Sequence, residues 1–180
     1  MNWSSFWTAC GGFFAVVAVI VALWLAKYAQ KKKLKLQFSD NVKISTGMGQ
    51  KTGELVSLNV TNVGNRTVVL ARWGIQLKGD YKLLIVPNLP MESLPVPFQN
   101  SFAREFPYSL DIEHEVTLYY EKCKFLKAIS ESCQNNEIEP EQKIIFFVTD
   151  STGKEYCVKS QKKAKEYCAI VNETKKVMQE

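Results

Sequence analysis

Apolar residues are arranged in two ways along the chain: one continuous run near the N-terminus, then short alternating segments. The continuous run extends from Phe6 to Ala26 and contains no charged residue. A run of about 18 or more apolar residues is typical of a membrane-spanning helix. At about 1.5 Å per residue, this run would cover roughly 30 Å, the thickness of a bilayer core. We therefore predict a transmembrane helix over residues 6–28, after a short tail at residues 1–5.

Beyond this run, apolar and polar residues alternate with a period of two, which is typical of strands with one buried face. In the clearest strand, Val56, Leu58 and Val60 share one face. The predicted strands are, in chain order, 34–39, 42–45, 55–63, 67–77, 82–86, 116–120, 144–149 and 155–159.

The strands predicted over 55–63 and 67–77 form a hairpin. Gly64 and Asn65 lie in its turn, and both residue types are able to adopt a positive φ. Gly74, inside the return strand, predicts a bulge or a close approach of another backbone. The return strand would bury one alternating set, in which Trp73 is the core anchor: Val69, Ala71, Trp73, Ile75 and Leu77.

Two later segments change to a helical period. Residues 122–132 place Phe125, Leu126, Ile129 and Cys133 on one face. The C-terminal segment shows the same spacing at Ala164, Tyr167, Cys168, Val171 and Met178. Between the strands, five prolines crowd a segment of about twenty residues and interrupt regular structure.

Short strands, frequent turns and no alternation of strand and helix predict a mainly β fold. After the transmembrane helix we expect a basic linker at residues 29–35 and an antiparallel, immunoglobulin-like β-sandwich at 36–160. The sandwich would carry one short inserted helix, and an amphipathic helix would follow at 161–180. Trp73 precedes all four cysteines of this region, so the Cys–Trp–Cys framework of antibody domains is absent.

The positive charge of the chain is concentrated beside the predicted membrane helix. The net charge is +5, and all 18 acidic residues and 18 of the 23 Lys and Arg residues follow Leu36. A neutral domain argues against nucleic acid as a partner. The five remaining cations are predicted to contact anionic lipid headgroups at about 1 kcal/mol each; they are Lys27, Lys31, Lys32, Lys33 and Lys35.

The same charge asymmetry predicts the orientation of the helix. Lysines follow the apolar run and none precedes it, so the positive-inside rule places the N-terminus outside and the C-terminal domain in the cytoplasm. The cysteines of that domain would then be reduced thiols, whereas the reverse topology would favour disulfides. They are Cys123, Cys133, Cys157 and Cys168.

A stripe of small residues lies on one face of the predicted membrane helix: Gly11, Ala15, Ala18, Ala22 and Ala26. Such stripes allow two helices to approach closely, so a second copy of the chain is a candidate partner. Ala and Gly are also common in membrane helices that do not associate, and the sequence favours that reading.

The candidates for chemistry are few, and each has a simpler interpretation. The loop STGMGQKTG resembles a phosphate-binding loop but lacks the Walker order and a following helix. His114 is the single histidine, and a lone histidine beside carboxylates is usually solvated. Asp111, Glu113 and Glu115 alternate along one face and could hold a cation, although an exposed acidic face is commoner. We predict no catalytic residue, no cofactor and no metal site.

Two segments resemble a group of small, mostly bacterial proteins that have one N-terminal membrane helix and a compact β-sandwich. The first motif is N-V-G-x-R, present at residues 62–66, and the second is V-x-D-S-x-G-K-x-Y, present at residues 148–156. The group has no characterised activity, so the resemblance implies a fold and a topology alone. Gly64, Gly153, Asp150 and Ser151 also have a structural explanation, since these residue types form turns.

These observations favour a non-enzymatic, single-pass protein whose cytoplasmic β-sandwich binds another, unidentified protein at the membrane face. One alternative is an accessory subunit of a membrane complex, held by the small-residue stripe and the terminal helix. Another is a membrane-anchored enzyme whose site carries no recognisable motif.

Overall fold

The computed structural model describes residues 3–29, 31–44, 53–79, 81–85 and 104–177, with side chains described except at 3–13, 29 and 172–177. Several sequence predictions lie at least partly outside these residues: the tail at 1–5, the last residues of the strands predicted at 42–45 and 82–86, the loop STGMGQKTG, most of the proline segment, and the apolar position at Met178. The elements are, in chain order, α1 (Trp3–Ala29), β1 (Leu34–Ile44), β2 (Gly53–Asn62), β3 (Val68–Gln76), β4 (Lys82–Leu84), β5 (Tyr108–Leu110), β6 (Glu115–Glu121), α2 (Lys122–Gln134), β7 (Lys143–Asp150), β8 (Glu155–Lys163) and α3 (Ala164–Val177).

Helix α1 is continuous over the segment predicted at 6–28. Its side chains from Phe14 to Tyr28 are all exposed, including those of the predicted alanine stripe. Gly11 lies outside the positions whose surroundings are described. Among the described residues, no helix combines the length and the apolar character needed to cross a membrane.

The strands form two antiparallel sheets, so the predicted mainly β, antiparallel character is confirmed. One sheet has the order β1-β2-β6. The other has the order β4-β3-β7-β8, and β5 also pairs with β3. The prediction missed β5, which is three residues long and follows the proline segment.

Both sheets contribute to one hydrophobic core. Val56, Leu58 and Val60 are buried as their alternation predicts, and Trp73 is buried as the predicted core anchor. Phe38 of the first sheet stacks on Phe146 of the second, with ring centroids 3.9 Å apart. This contact joins the sheets at the centre of the core.

The buried face predicted for β3 is partly wrong. A register shift between Leu70 and Arg72 changes the phase of the alternation. Val68 and Leu70 are therefore buried, whereas Ala71, predicted to be inside, is exposed. The close approach predicted at Gly74 is confirmed, since a Cβ there would lie 2.1 Å from the carbonyl oxygen of Leu83.

Strand β1 is one strand rather than the two predicted, with a register shift between Ser39 and Val42. Asp40 lies in this irregular segment and forms an ion pair with Lys162 at 2.9 Å. The Tyr167 hydroxyl of α3 donates a hydrogen bond to Asp40 Oδ2 at 3.2 Å. These contacts connect β1 with the end of β8 and the start of α3.

Helix α2 buries Phe125, Leu126 and Ile129, which confirms the predicted face. Helix α3 begins at Ala164 rather than at residue 161, because β8 continues to Lys163. The buried ring of Tyr167 meets Phe125 edge-on, with centroids 5.3 Å apart. Both helices therefore pack on the same core as the sheets.

Candidate functional site

The basic linker between α1 and β1 is bonded to the turn that joins β2 and β3. The backbone N–H of Val63 donates to the Lys33 carbonyl at 2.9 Å, and that of Asn65 donates to the Lys31 carbonyl at 3.1 Å. The Asn65 side chain also donates to a carbonyl in the last turn of α1, Tyr28 O, at 3.5 Å. The linker is therefore held against the domain by its backbone.

Asn62 fixes the turn that receives the linker. Its side chain is buried, and its Nδ2 donates to the carbonyls of Arg66 at 2.8 Å and Leu110 at 3.0 Å. Its Oδ1 accepts from the Gly64 N–H at 3.0 Å. A buried amide with these partners is satisfied. This gives the first residue of the N-V-G-N-R segment a structural role.

Gly64 is required at this turn for a different reason from the one its sequence suggests. Among the described residues, the positive φ angles belong to Glu113, Asn136, Gly79 and Gly153, so Gly64 and Asn65 do not use the positive φ that their residue types can adopt. A Cβ at Gly64 would instead lie 2.5 Å from the Lys33 nitrogen and 2.6 Å from the Lys31 oxygen. The glycine allows the linker backbone to approach.

The turn between β7 and β8 is held by Asp150. Its Oδ1 accepts hydrogen bonds from the backbone N–H groups of Thr152 at 2.8 Å and Lys154 at 3.0 Å, and from the Thr152 hydroxyl. Burial alone would raise the pKa of Asp150, but these bonds and the charge of Lys32 lower it below the usual value. Gly153 takes φ of 83°, so its predicted turn role is confirmed.

This second turn reaches the same linker. The Tyr156 hydroxyl donates to the Lys32 carbonyl at 3.5 Å, and the Lys154 ammonium lies 4.9 Å from the centroid of the Tyr156 ring. Burial and the charge of Asp150 raise the pKa of Tyr156, which keeps its hydroxyl protonated as a donor. The two sequence motifs thus meet at residues 31–33, although about 85 residues separate them in the chain.

The meeting point forms an open pocket of about 490 Å³. Trp24 and Tyr28 form its aromatic side, with ring centroids 5.7 Å apart and stacked. Its charged side consists of four lysines: Lys27, Lys31, Lys32 and Lys154. The arrangement presents positive charge and amphipathic rings at the end of a helix whose described apolar side chains are exposed.

The structure brings together three of the five predicted membrane-contact lysines, namely Lys27, Lys31 and Lys32. Lys33 and Lys35 are exposed but do not line the pocket. Sequence reasoning missed Lys154, because the motif that contains it was already explained as a turn and gave no reason to assign Lys154 a separate role. No local signal connects it with the linker, since they meet only through the packing of β7 and β8 beside residues 31–33.

The other chemical candidates do not converge. Asp111 accepts from the Thr67 hydroxyl at 3.0 Å, Glu115 accepts from the Asn59 amide at 3.2 Å, and Glu113 lies in a turn with φ of 62°. Their expected common strand face is therefore wrong, because the strand begins only at Glu115. In the part of the chain that the structure describes, no cluster of three metal-ligating side chains occurs.

Two of the four domain cysteines are neighbours. Cys133 of α2 and Cys168 of α3 are free thiols connected by a hydrogen bond, and burial together with this neighbour raises the pKa of Cys133 to about 11. A thiol with such a pKa is protonated at neutral pH and is a poor nucleophile. Cys133 is therefore a poor candidate for a catalytic nucleophile.

Comparison with known proteins adds little to this geometry. No protein-family model matches the chain, and no curated protein matches it. Three chains among the solved structures match it. One is described as "X-ray structure of Northeast Structural Genomics Consortium target SoR45"; it is 10% identical, the match covers 72% of this chain and 82% of that chain, and the TM-score is 0.27. A likeness of this extent supports no statement about function.

Proposed function

We propose that the chain is a non-enzymatic, single-pass membrane protein whose cytoplasmic domain binds another protein at the membrane face. In this proposal α1 spans the bilayer, and the two sheets form an immunoglobulin-like sandwich. The observation that carries the proposal is the bonded linker. It places Lys31 and Lys32 between an exposed apolar helix and a packed domain, next to Lys27 in the last turn of that helix.

The exposed face of α1 supports the membrane assignment. Phe14 is 70% exposed, Leu23 66% and Trp24 62%. Contiguous apolar surface of this kind indicates contact with lipid or with another protein. Lysines at the C-terminal end of such a helix snorkel toward the headgroups, and Trp and Tyr prefer the same depth.

The topology is tested by labelling a variant that retains Cys123 as its only cysteine. Cys123 is exposed, whereas burial and the neighbouring Glu155 raise the pKa of Cys157 and slow its reaction. A membrane-impermeant maleimide should leave Cys123 unmodified in intact cells and modify it after permeabilisation. Modification in intact cells would reverse the topology and refute the cytoplasmic assignment.

Protein binding is tested with a photo-crosslinking residue at Tyr81, next to β4. Tyr81 is 77% exposed and lines an open pocket of about 360 Å³, and tyrosine is enriched at protein interfaces. A matched probe at Lys127 on α2, which is also exposed and does not line this pocket, reports background. The expected result is one specific adduct from Tyr81 that disappears in chains lacking residues 1–33. Identical adducts from both positions would refute a specific interface near β4.

A further inference from the structure

The pocket at the end of α1 combines a net positive charge with two aromatic rings. None of the ion pairs in the described part of the chain involves Lys27, Lys31, Lys32 or Lys154. Other lysines of the domain do pair with carboxylates, for example Lys122 with Glu54 at 2.7 Å. Asp150 offsets part of the charge of Lys32. Four ammonium groups and one carboxylate leave a net positive charge, which attracts an anion.

The backbone around the pocket is also arranged to accept an anion. Carbonyl groups at a helix C-terminus normally carry partial negative charge that would oppose one. Here Tyr28 O accepts from the Lys31 N–H at 3.1 Å and from the Asn65 side chain. The carbonyls of Lys31 and Lys33 accept from the β2–β3 turn. These oxygens are engaged by donors, which reduces their repulsion of a negative ligand.

One backbone contact and one side-chain contact fix the position of Lys154. Its backbone N–H donates to Asp150 Oδ1, and its ammonium group lies over the Tyr156 ring. The negative charge of the buried Asp150 interacts with Lys32 and offsets part of the positive charge of the pocket, while its Oδ1 holds the turn. The turn therefore presents a cation at a fixed position opposite the linker.

We propose that this pocket binds the phosphate group of an anionic membrane lipid, with Lys154 completing a site begun by Lys27, Lys31 and Lys32. This inference rests on the proposed function, in which α1 lies in the membrane. Lysine is a common phosphate ligand that acts as a point charge. The volume of about 490 Å³ lies within the usual range for small-molecule sites and accommodates more than a bare phosphate ion.

The aromatic side of the pocket favours a lipid over a free phosphate compound. Trp24 and Tyr28 stack at its edge, and the exposed side chains of Leu23 and Leu25 lie next to them on α1. A lipid would place its phosphate among the lysines and its acyl chains along this apolar surface. A soluble phosphate would use the lysines alone and leave the apolar surface uncovered.

The test is native mass spectrometry of the full chain in a non-ionic detergent, titrated with phosphatidic acid. Phosphatidylcholine is the neutral-lipid control, and glycerol 3-phosphate is the soluble control. Lys154→Gln should weaken phosphatidic acid binding about fivefold, the value of one lysine near a lipid surface. Lys159→Gln removes the same charge from an exposed position outside the pocket and should leave binding unchanged. Lys154→Arg should retain it.

Each contrary outcome identifies what has failed. Equal losses in the Lys154→Gln and Lys159→Gln chains would show general charge attraction and overturn the site. Glycerol 3-phosphate binding as tightly as phosphatidic acid would overturn the lipid assignment. Sodium carbonate extraction of cell membranes distinguishes failure of the lipid site from failure of the proposed function. Release of the wild-type chain refutes membrane anchoring. A retained chain with unchanged lipid affinity in Lys154→Gln refutes the pocket alone.

Discussion

The contact between Gly64 and the linker predicts that Gly64→Ala destabilises the full chain but stabilises a chain that lacks the linker. In the full chain, Gly64→Ala would place a Cβ 2.5 Å from Lys33 N and 2.6 Å from Lys31 O. Both are backbone atoms, and moving them breaks the hydrogen bonds that Val63 and Asn65 donate to the linker. Overpacking of this kind costs about 1–3 kcal/mol.

Without the linker, the same substitution should be favourable. The φ angle of Gly64 is not in the left-handed region, so alanine adopts the backbone without strain. Gly→Ala at such a position stabilises by about 0.4–1 kcal/mol, because it restricts the unfolded chain. In a chain lacking residues 1–33, Gly64→Ala should therefore raise the free energy of unfolding. The coupling energy between the two changes is about 1.5–4 kcal/mol.

The assay is urea unfolding of four chains in one detergent: full and shortened, each with glycine or alanine at position 64. Gly79→Ala is the matched control, because Gly79 has φ of 71° and nothing within 4 Å of an added Cβ. It should cost about 1–2 kcal/mol through backbone strain in both chain lengths, with no coupling. A Gly64→Ala effect of the same sign and size in both lengths would refute the docked linker.

Three further predictions concern the helices that cover the core. Tyr167→Phe should lower the free energy of unfolding by about 0.5–1.5 kcal/mol, measured by urea unfolding, because the hydroxyl bonds Asp40. Burial alone would raise the pKa of Asp40, but Lys162 and Tyr167 lower it below 3.8. The stability this provides is complete above pH 3.8 and disappears as pH falls through the lower folded pKa, so Asp40→Asn should remove that part of the acid dependence. Prolonged treatment with oxidised glutathione should join Cys133 and Cys168 in an intramolecular disulfide worth about 4 kcal/mol, measured by the same unfolding assay; the reaction should be slow at neutral pH, because the raised pKa of Cys133 leaves little thiolate.

Each of these predictions has a control that leaves the relevant contact intact. Tyr120→Phe removes a tyrosine hydroxyl on β6, away from Asp40, and should leave the Asp40 contacts and their acid dependence unchanged. Equal acid curves for wild type and Asp40→Asn would contradict the role of that carboxylate. Cys123→Ser should still permit the disulfide, whereas Cys168→Ser should prevent it. Oxidation that yields only intermolecular dimers would show that the two thiols are not neighbours.

Period-two alternation was sufficient to predict most strands, because burial of one sheet face is a local property of the sequence. It failed in β3, where a register shift between Leu70 and Arg72 changes which residues are buried. Such a shift arises from pairing with β7, about 75 residues away in the chain. The end of β8 was misplaced for a similar reason, since Lys163 pairs with Lys143.

The candidate site was only half predictable from the sequence. The linker lysines were evident, because a cluster of charge next to an apolar run is a local pattern. Lys154 was not evident from the sequence, because its place in the pocket depends on the packing of two turns at one end of the sheets. Gly64 was assigned to a turn correctly, but for the wrong reason. A glycine needed for the close approach of another backbone looks the same in the sequence as a glycine needed for a positive φ.

The bonded linker also determines how much freedom the domain has when it meets a partner. A domain on a flexible tether samples many orientations, and binding must remove that orientational entropy. Here Lys31 and Lys33 are hydrogen-bonded to the β2–β3 turn, so the domain loses this orientational entropy when it folds and not when it binds. In the proposed arrangement, with α1 in a bilayer, the angle between α1 and the two sheets would select which surfaces of the domain face away from the membrane. A partner of the proposed kind would then meet a pre-oriented surface and would lose less orientational entropy on binding.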